Sequence, residues 1–445
     1  MLILLHFAVA VISPSRFILL ALWVQTIPYT WNWDAQMVFD TPIGPLNVVA
    51  MQVFGFLFSS MLVVGRNISR LREYAPQFSW HLVFMLFCVV SLSYAPSVGY
   101  GIRMIAKLLG PLMFALALVC AMESREDLER AETAIIGSGV ILIALAVVAK
   151  AMGVESDPNA VNSGQAGLGP PSMGPPVFSA HMLAVSMLAL AIYLRDKKLR
   201  MLLMALLSAL CILAAYQRTS AAAMYIGFSA ILFVGTRGVW RLLLPVSGVV
   251  ALPVLIVFSD NFRRRMFFGV NSSNQILNDP MDAIGKINSS GRFSLWDTAL
   301  RRFFYDHQLL GSGIGSTEEY LHGLTGSAIG VMHSEYVRLM CEMGVIGLLL
   351  FAIAMMFYLI KLSVRGRDGN GLINSYTLAA LGSLIAYLIY CATDNGFDYV
   401  SQFGAYVFGL VAMAFKEHQL TSPAVTLDKV VSQLSRQVVI SNLMR

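Results

Sequence analysis

Charge is what this sequence has least of. Asp, Glu, Lys and Arg make up 13% of its 445 residues, whereas 57% are hydrophobic and the mean hydropathy is +0.70. A soluble fold of this length has too little interior to hide so much apolar surface, so the composition implies a polytopic membrane protein. Alternation of apolar and polar positions is missing as well; the hydrophobic runs are continuous, which excludes a membrane β-barrel. The five cysteines, Cys88, Cys120, Cys211, Cys341 and Cys391, all fall in apolar runs. They show no metal-ligand spacing and no pairing pattern, and are expected as free thiols. There is no internal repeat, no second soluble domain and no evident carboxylate pair to hold a divalent metal.

What the chain does contain is apolar segments long enough to cross a bilayer. A spanning helix needs roughly 20 mostly apolar residues. About twelve such segments fit, near 3–28, 45–65, 79–97, 102–121, 132–152, 177–194, 200–217, 219–235, 240–258, 336–361, 374–391 and 399–416. The expected fold is therefore all-α and polytopic. It divides into N-terminal spans (1–258), a loop subdomain (259–335), three C-terminal spans (336–416) and a tail (417–445). Pro14 and Arg16 make the first segment a kinked span or two short helices. It lacks a small-residue cleavage site and reads as a retained span.

Orientation follows from basic residues in short loops. Arg66, Arg70 and Arg72 occupy one loop, Arg195, Lys197, Lys198 and Arg200 a second, Arg237 and Arg241 a third, and Lys361, Arg365 and Arg367 a fourth. Under the twelve-span count these loops share one side, the cytoplasm. Both termini and the tail then lie in the cytoplasm, and the long 259–335 loop is extracytoplasmic. The net charge of +6 reflects this topology and gives no reason to expect nucleic acid.

Polar chemistry concentrates between Gly291 and Gly347. There WDTALRRFFYDH has apolar residues at helical spacing and an Arg-rich polar face. A second extracytoplasmic loop, 153–176, is rich in Gly, Pro, Ser and Asn and reads as a non-helical cover. The run Arg263 to Arg265 is suited to anionic lipid headgroups, and Arg292, Arg301 and Arg302 follow in the same loop.

Several residues could carry chemistry. Arg218, in AAYQRTSAAAM, lies at a turn between two apolar segments, where it either snorkels and caps a helix or meets a ligand beside the small residues Ser220 to Ala223. Arg292 offers a fork of donors to phosphate oxygens. His333 can take a proton near neutral pH and precedes Ser334, a candidate helix N-cap. Glu335, Arg338 and Glu342 share one helical face and read as an internal charge network that lets Arg338 enter the membrane neutralised. GSGIG at 311–315 is either a backbone cradle for an anion or a glycine-rich turn. Arg103 and Lys107 lie one turn apart near an extracytoplasmic helix end, and His181 begins another span from that side. With Arg301 and Arg302 these form the candidate substrate contacts, each open to a purely structural reading. Asp34 and Asp394 are second-choice general bases.

QRTSAAA in a mid-chain helix pair, GRFSLWDTAL followed by LLGSGIGS in a long loop, and HSEYVRLMCEMGVIGLLLF entering the next span occur in an order and separation that resemble the O-antigen ligase and polymerase superfamily. The resemblance is specific over roughly residues 200–360; the N-terminal half agrees in hydropathy only. PPVFSAHMLA resembles a degraded form of that family's Asn-containing entry to an earlier span. The resemblance implies a bacterial inner-membrane glycosyltransferase of helical C-type fold, with its active site on the extracytoplasmic face. Its donor would be a polyprenyl-diphosphate-linked glycan and its acceptor the lipid A core or another glycan. By position, Arg218 and Arg292 would bind the donor diphosphate and His333 would orient or deprotonate the acceptor hydroxyl. Arginine would replace metal in stabilising the leaving group, so inverting, metal-independent transfer without a cofactor is expected. A polymerase using a second polyprenyl-linked repeat shares these motifs. A transporter or flippase is the reading of another class, and the missing repeat speaks against it.

Overall fold

The computed structural model describes residues 2–24, 38–41, 44–154, 167–171, 173–239, 241–242, 245–247, 291–325, 331–365 and 374–421, with isolated residues between 267 and 286. Most of the 240–258 segment, most of the Gly/Pro loop, Asp34, Arg263 to Arg265, Arg367 and the tail beyond 421 lie outside the described residues.

The described chain is helical apart from a short hairpin. Its helices are α1 (Leu2–Ile12), α2 (Pro14–Val24), α3 (Val48–Arg66), α4 (Ile68–Ser91), α5 (Val98–Ala121), α6 (Arg125–Ala151), α7 (Pro175–Asp196), α8 (Leu199–Ala214), α9 (Arg218–Gly235), α10 (Arg292–Phe303), α11 (Ser316–Thr325), α12 (Glu335–Arg365), α13 (Ser375–Thr393) and α14 (Ala405–Thr421). The hairpin pairs β1 (Val38–Thr41) with β2 (Gly44–Asn47), antiparallel and in register Val38 to Asn47. Among the described residues, seven helices are long and apolar enough to cross a membrane: α4, α5, α6, α7, α9, α12 and α13. Shorter apolar helices cover 3–12, 14–23, 51–66 and 199–214.

The first apolar segment is two short helices meeting at Ser13. The Ser13 N–H bonds the Val9 carbonyl at 2.8 Å and the Ser13 carbonyl receives the Phe17 N–H at 3.0 Å, so helical bonding brackets Pro14, which has no N–H to give. At the centre of the bundle, α5, α7 and α13 are buried along most of their length, and α7 packs against α6, α8, α9 and α13. The periphery is apolar outward: Leu199, Leu203, Leu206, Leu210 and Leu213 form an exposed stripe along α8 at steps of three and four. In water such a stripe would be an unpartnered patch; against lipid it is the expected outer surface.

The two ends of the bundle differ. At one end Arg70 reaches Glu123 and the Cys120 carbonyl, and Arg195 reaches Ser375 and lies 3.9 Å from Glu132 near the start of α6, so two of the four basic loops read from the sequence lie there. At the other end α10 and α11 sit on α12 around a second small core of Ala299, Phe303, Leu321, Met332 and Cys341.

Helix α12 is broken at Gly344, whose φ is +64°. The break exposes backbone groups that the 304–313 loop satisfies. Val345 N–H donates to the Gln308 carbonyl at 2.8 Å and Ile346 N–H to the Leu309 carbonyl at 3.2 Å. In return the Cys341 and Glu342 carbonyls accept Ser312 and Gly313 N–H groups, both at 2.9 Å.

Candidate active site

His333 occupies the last bend before α12 with φ +54°, a left-handed conformation unusual for a residue with a Cβ. Three contacts hold it there. The Trp296 indole on α10 donates to the Met332 carbonyl at 2.8 Å. The His333 backbone N–H donates to Asn395 Oδ1 at 2.9 Å. Ser334 caps α12, its hydroxyl receiving the Val337 N–H at 3.4 Å.

The turn after α13 gathers the other parts. Arg292, first residue of α10, donates a guanidinium N–H to the Thr393 carbonyl. Thr219, beside Arg218 at the start of α9, shares a 2.7 Å hydroxyl–hydroxyl bond with Thr393. The next two residues, Asp394 and Asn395, are buried, and the Asn395 amide nitrogen lies 3.3 Å from His333 Nδ1. Arg292, His333 and the helix start that carries Arg218, drawn from three separate stretches of chain, thus converge on residues 393–395.

The electrostatics follow from burial and neighbours. Burial, then the Arg292 guanidinium, lowers the His333 imidazole below its ordinary value, which keeps the ring neutral at physiological pH. Burial raises the Asp394 carboxyl even though the Asn395 N–H, Arg292 and His333 act against it. Asp398 goes the other way: burial alone would raise it, but Arg338 and Lys107 hold it at about 2.

Beneath this turn lies a buried charge cluster. Arg338 pairs with Glu335 at 3.1 Å and with Asp398 at 3.3 Å. Lys107 lies 2.7 Å from both Asp398 and Glu318, and Arg103 lies 3.2 Å from Glu318 while stacking over Tyr100. Arg103 and Lys107 therefore lie at the same end of the bundle as His333, with their charges matched by acids of α11 and the 394–399 turn. Glu342 faces Arg338 electrostatically, as its position on the helix implies, and also accepts the Gly315 N–H at 2.9 Å and the Thr317 hydroxyl.

The remaining sequence candidates lie elsewhere. His181 is buried between Ser138 (3.2 Å) and the Gln402 carbonyl (3.0 Å), with Tyr406 edge-on. Arg301 is exposed and pairs with Asp297 one turn back at 2.8 Å. Arg302 stacks on Tyr320 at 4.5 Å and lines an open cleft of about 870 Å³ with Tyr94, Tyr305, Asp306 and His307. The GSGIG segment is a turn rather than an anion cradle. Its Ser312, Gly313 and Gly315 N–H groups are engaged as described, and the Ile314 N–H bonds Ser91 Oγ at 2.9 Å. Asn395, Asp398, Thr393 and Glu318 were not among the sequence candidates; for the first three the polar run ATDNGFDY between two apolar segments was the available signal. Among the described residues, no three His, Cys, Asp or Glu side chains are grouped as a metal site would require.

These features define a multi-pass helical membrane protein with a cationic, histidine-bearing site at one end of its bundle. Residues 203–352 match the family model described as O-Antigen ligase, which bears out the resemblance to the O-antigen ligase and polymerase superfamily. The matched stretch contains Arg218, Arg292 and His333 and points to an enzyme of glycosyltransferase type acting on lipid-linked glycans in a membrane. Among curated proteins, none matches the chain.

Proposed function

We propose that the protein transfers a glycan from a polyprenyl-diphosphate carrier to an acceptor hydroxyl, as an O-antigen ligase does with the lipid A core. The observation that carries this reading is the convergence of Arg292, His333 and the α9 start bearing Arg218 on residues 393–395. A diphosphate leaving group needs fixed cations, and each charge-assisted contact contributes about 1.5–3 kcal/mol. Arg218 and Arg292 supply them, on the extracytoplasmic face of a bacterial inner membrane. Lys107 and Arg103, neutralised by Glu318 and Asp398, support the turn from below rather than adding net charge, and Arg302, Arg301 and His181 would act only through more distant parts of the substrate or the bundle.

The reaction is an in-line displacement that inverts the anomeric centre. The acceptor oxygen bonds to the anomeric carbon as the bond to the phosphate oxygen breaks, and the electron pair leaves with the diphosphate. Two groups in the site can take the hydroxyl proton, His333 and Asp394. Neither step calls for a metal, because the arginines stabilise the departing charge.

Purified protein in lipid nanodiscs, given one defined polyprenyl-diphosphate glycan and candidate acceptors, should form a new glycosidic bond. Absence of any bond, with movement of the lipid-linked glycan across a bilayer, would replace this reading with a transporter. Glycan profiles of a deletion strain separate the two enzymes: unligated long chains mark a ligase, single repeats a polymerase.

A further inference from the structure

The direction of the Asn395 side-chain amide is settled by a group that has no choice of its own. The His333 backbone N–H can only donate, and it meets one amide atom of Asn395 at 2.9 Å, so that atom is the carbonyl oxygen. The other amide atom is then the NH2 group. It lies 3.3 Å from His333 Nδ1 and 3.3 Å from Asp394 Oδ1, and its two hydrogens serve these two acceptors. An NH2 group has no lone pair to offer, so Nδ1 presents one, and the single proton of the neutral ring sits on Nε2. In a Ser-His-Asp arrangement a carboxylate takes Nδ1–H and leaves Nε2 bare as the base. Here an amide is interposed between carboxylate and imidazole, and the polarity of the ring reverses.

We propose that Asn395 is a positioning residue that holds His333 as the Nε2–H tautomer, so that His333 meets the substrate as a hydrogen-bond donor to a diphosphate oxygen beside Arg292, while Asp394 receives the acceptor's proton. This rests on the glycan-transfer reading and decides between the two bases that reading leaves open. Balance is kept: the acceptor oxygen gains the anomeric carbon, the electron pair departs with the diphosphate, His333 keeps its proton, and the hydroxyl proton passes to the Asp394 carboxylate. The charged groups that face the ring are Arg292, Asp394, Arg338 and Asp398. A second proton on Nδ1 would point at the Asn395 NH2, so the same contact that selects the tautomer opposes the imidazolium. Asp394, raised by burial, is correspondingly the better proton acceptor.

Two measurements on the full chain test this. The first is ¹⁵N NMR of histidine-labelled protein without substrate, with the His333 signals identified by their loss in His333→Asn, a residue that tolerates positive φ. The proton should be on Nε2 in the parent and move to Nδ1 in Asn395→Asp, whose carboxylate accepts it. A proton on Nδ1 in the parent overturns the proposal. The second is turnover with a polyprenyl-diphosphate glycan. His333→Gln keeps an N–H donor but cannot act as a base, and should stay within about tenfold of the parent, while His333→Ala loses roughly 10²–10³-fold. Equal loss in both variants overturns the donor role. A parent protein that forms no glycosidic bond from any polyprenyl-diphosphate donor sinks the transfer reading, whereas the tautomer measurement still decides the role of Asn395.

Discussion

The guanidinium of Arg338 lies 3.3 Å from the carboxylate of Asp398, tying the first turn of α12 to the turn after α13, with the Arg338 side chain wholly shielded from solvent. Removing one partner of such a pair strands the other in a low-dielectric interior. Arg338→Met is expected to destabilise the protein by about 3–5 kcal/mol, read as a lowered unfolding midpoint in detergent. Neutralising Glu335 as well, with Glu335→Gln, should recover part of that loss. A midpoint equal to the parent's would show that the cluster is not holding these elements together.

Arg292 and Arg218 are expected to act on donor affinity. Alanine at either position should weaken binding of polyprenyl diphosphate by roughly 10–100-fold, the equivalent of one charge-assisted contact. Arg292→Lys should not restore it, because an ammonium cannot keep the Thr393 carbonyl and present a planar fork to an anion at once. Titration of the lipid into nanodisc-embedded variants measures this; unchanged affinity would remove either residue from the donor site.

The two aspartates of the turn give opposite pH signatures. Asp398, held at about 2 against an ordinary 3.8, contributes stability that is complete above pH 3.8 and lost as pH falls toward 2. Asp394 is raised, so its contribution is complete below 3.8 and lost as pH rises through its folded value. With Asp394 as base, transfer should fall on the acid side with a midpoint above 3.8, and Asp394→Asn should abolish that limb together with most of the rate. A kcat profile flat through this range in the parent would remove Asp394 from proton transfer.

Much of this architecture was legible in the sequence. Continuous apolar runs announced the seven long apolar helices of the described residues, though not a count of twelve, and the three- and four-residue steps from Glu335 announced a neutralised Arg338. Other readings needed contacts that sequence spacing cannot carry. Arg103 and Lys107 were visible as cations near a helix end, but their acid Glu318 lies more than two hundred residues away. Glu342 shared a face with Arg338 and does act on it, but the break at Gly344 also brings the 311–315 turn within its reach, so it serves that backbone as well. Asn395 was invisible because its importance depends on which atom of an amide faces a backbone N–H.

If Arg218 and Arg292 balance the diphosphate as proposed, a chelator should leave transfer unchanged. Loss of activity in EDTA that magnesium or manganese restores would contradict this assignment, and the assay is the same glycosidic-bond measurement.

Gly315 should not tolerate a side chain. Its φ is +83°, and an added Cβ would stand 2.5 Å from the Gly101 nitrogen and the Tyr100 carbonyl carbon. Gly315→Ala is expected to destabilise by more than about 1 kcal/mol, seen in the same unfolding assay as a lower midpoint.

The bond from Arg292 to the last carbonyl of α13 has a thermodynamic meaning beyond placement. A free arginine side chain carries about 2 kcal/mol of rotamer entropy that a ligand must suppress when it binds. Here one of five N–H donors is already anchored to a helix terminus, so that ordering is complete once the chain has folded. Under the proposed reaction a diphosphate would meet a guanidinium already oriented, and the affinity gained there should be mainly enthalpic.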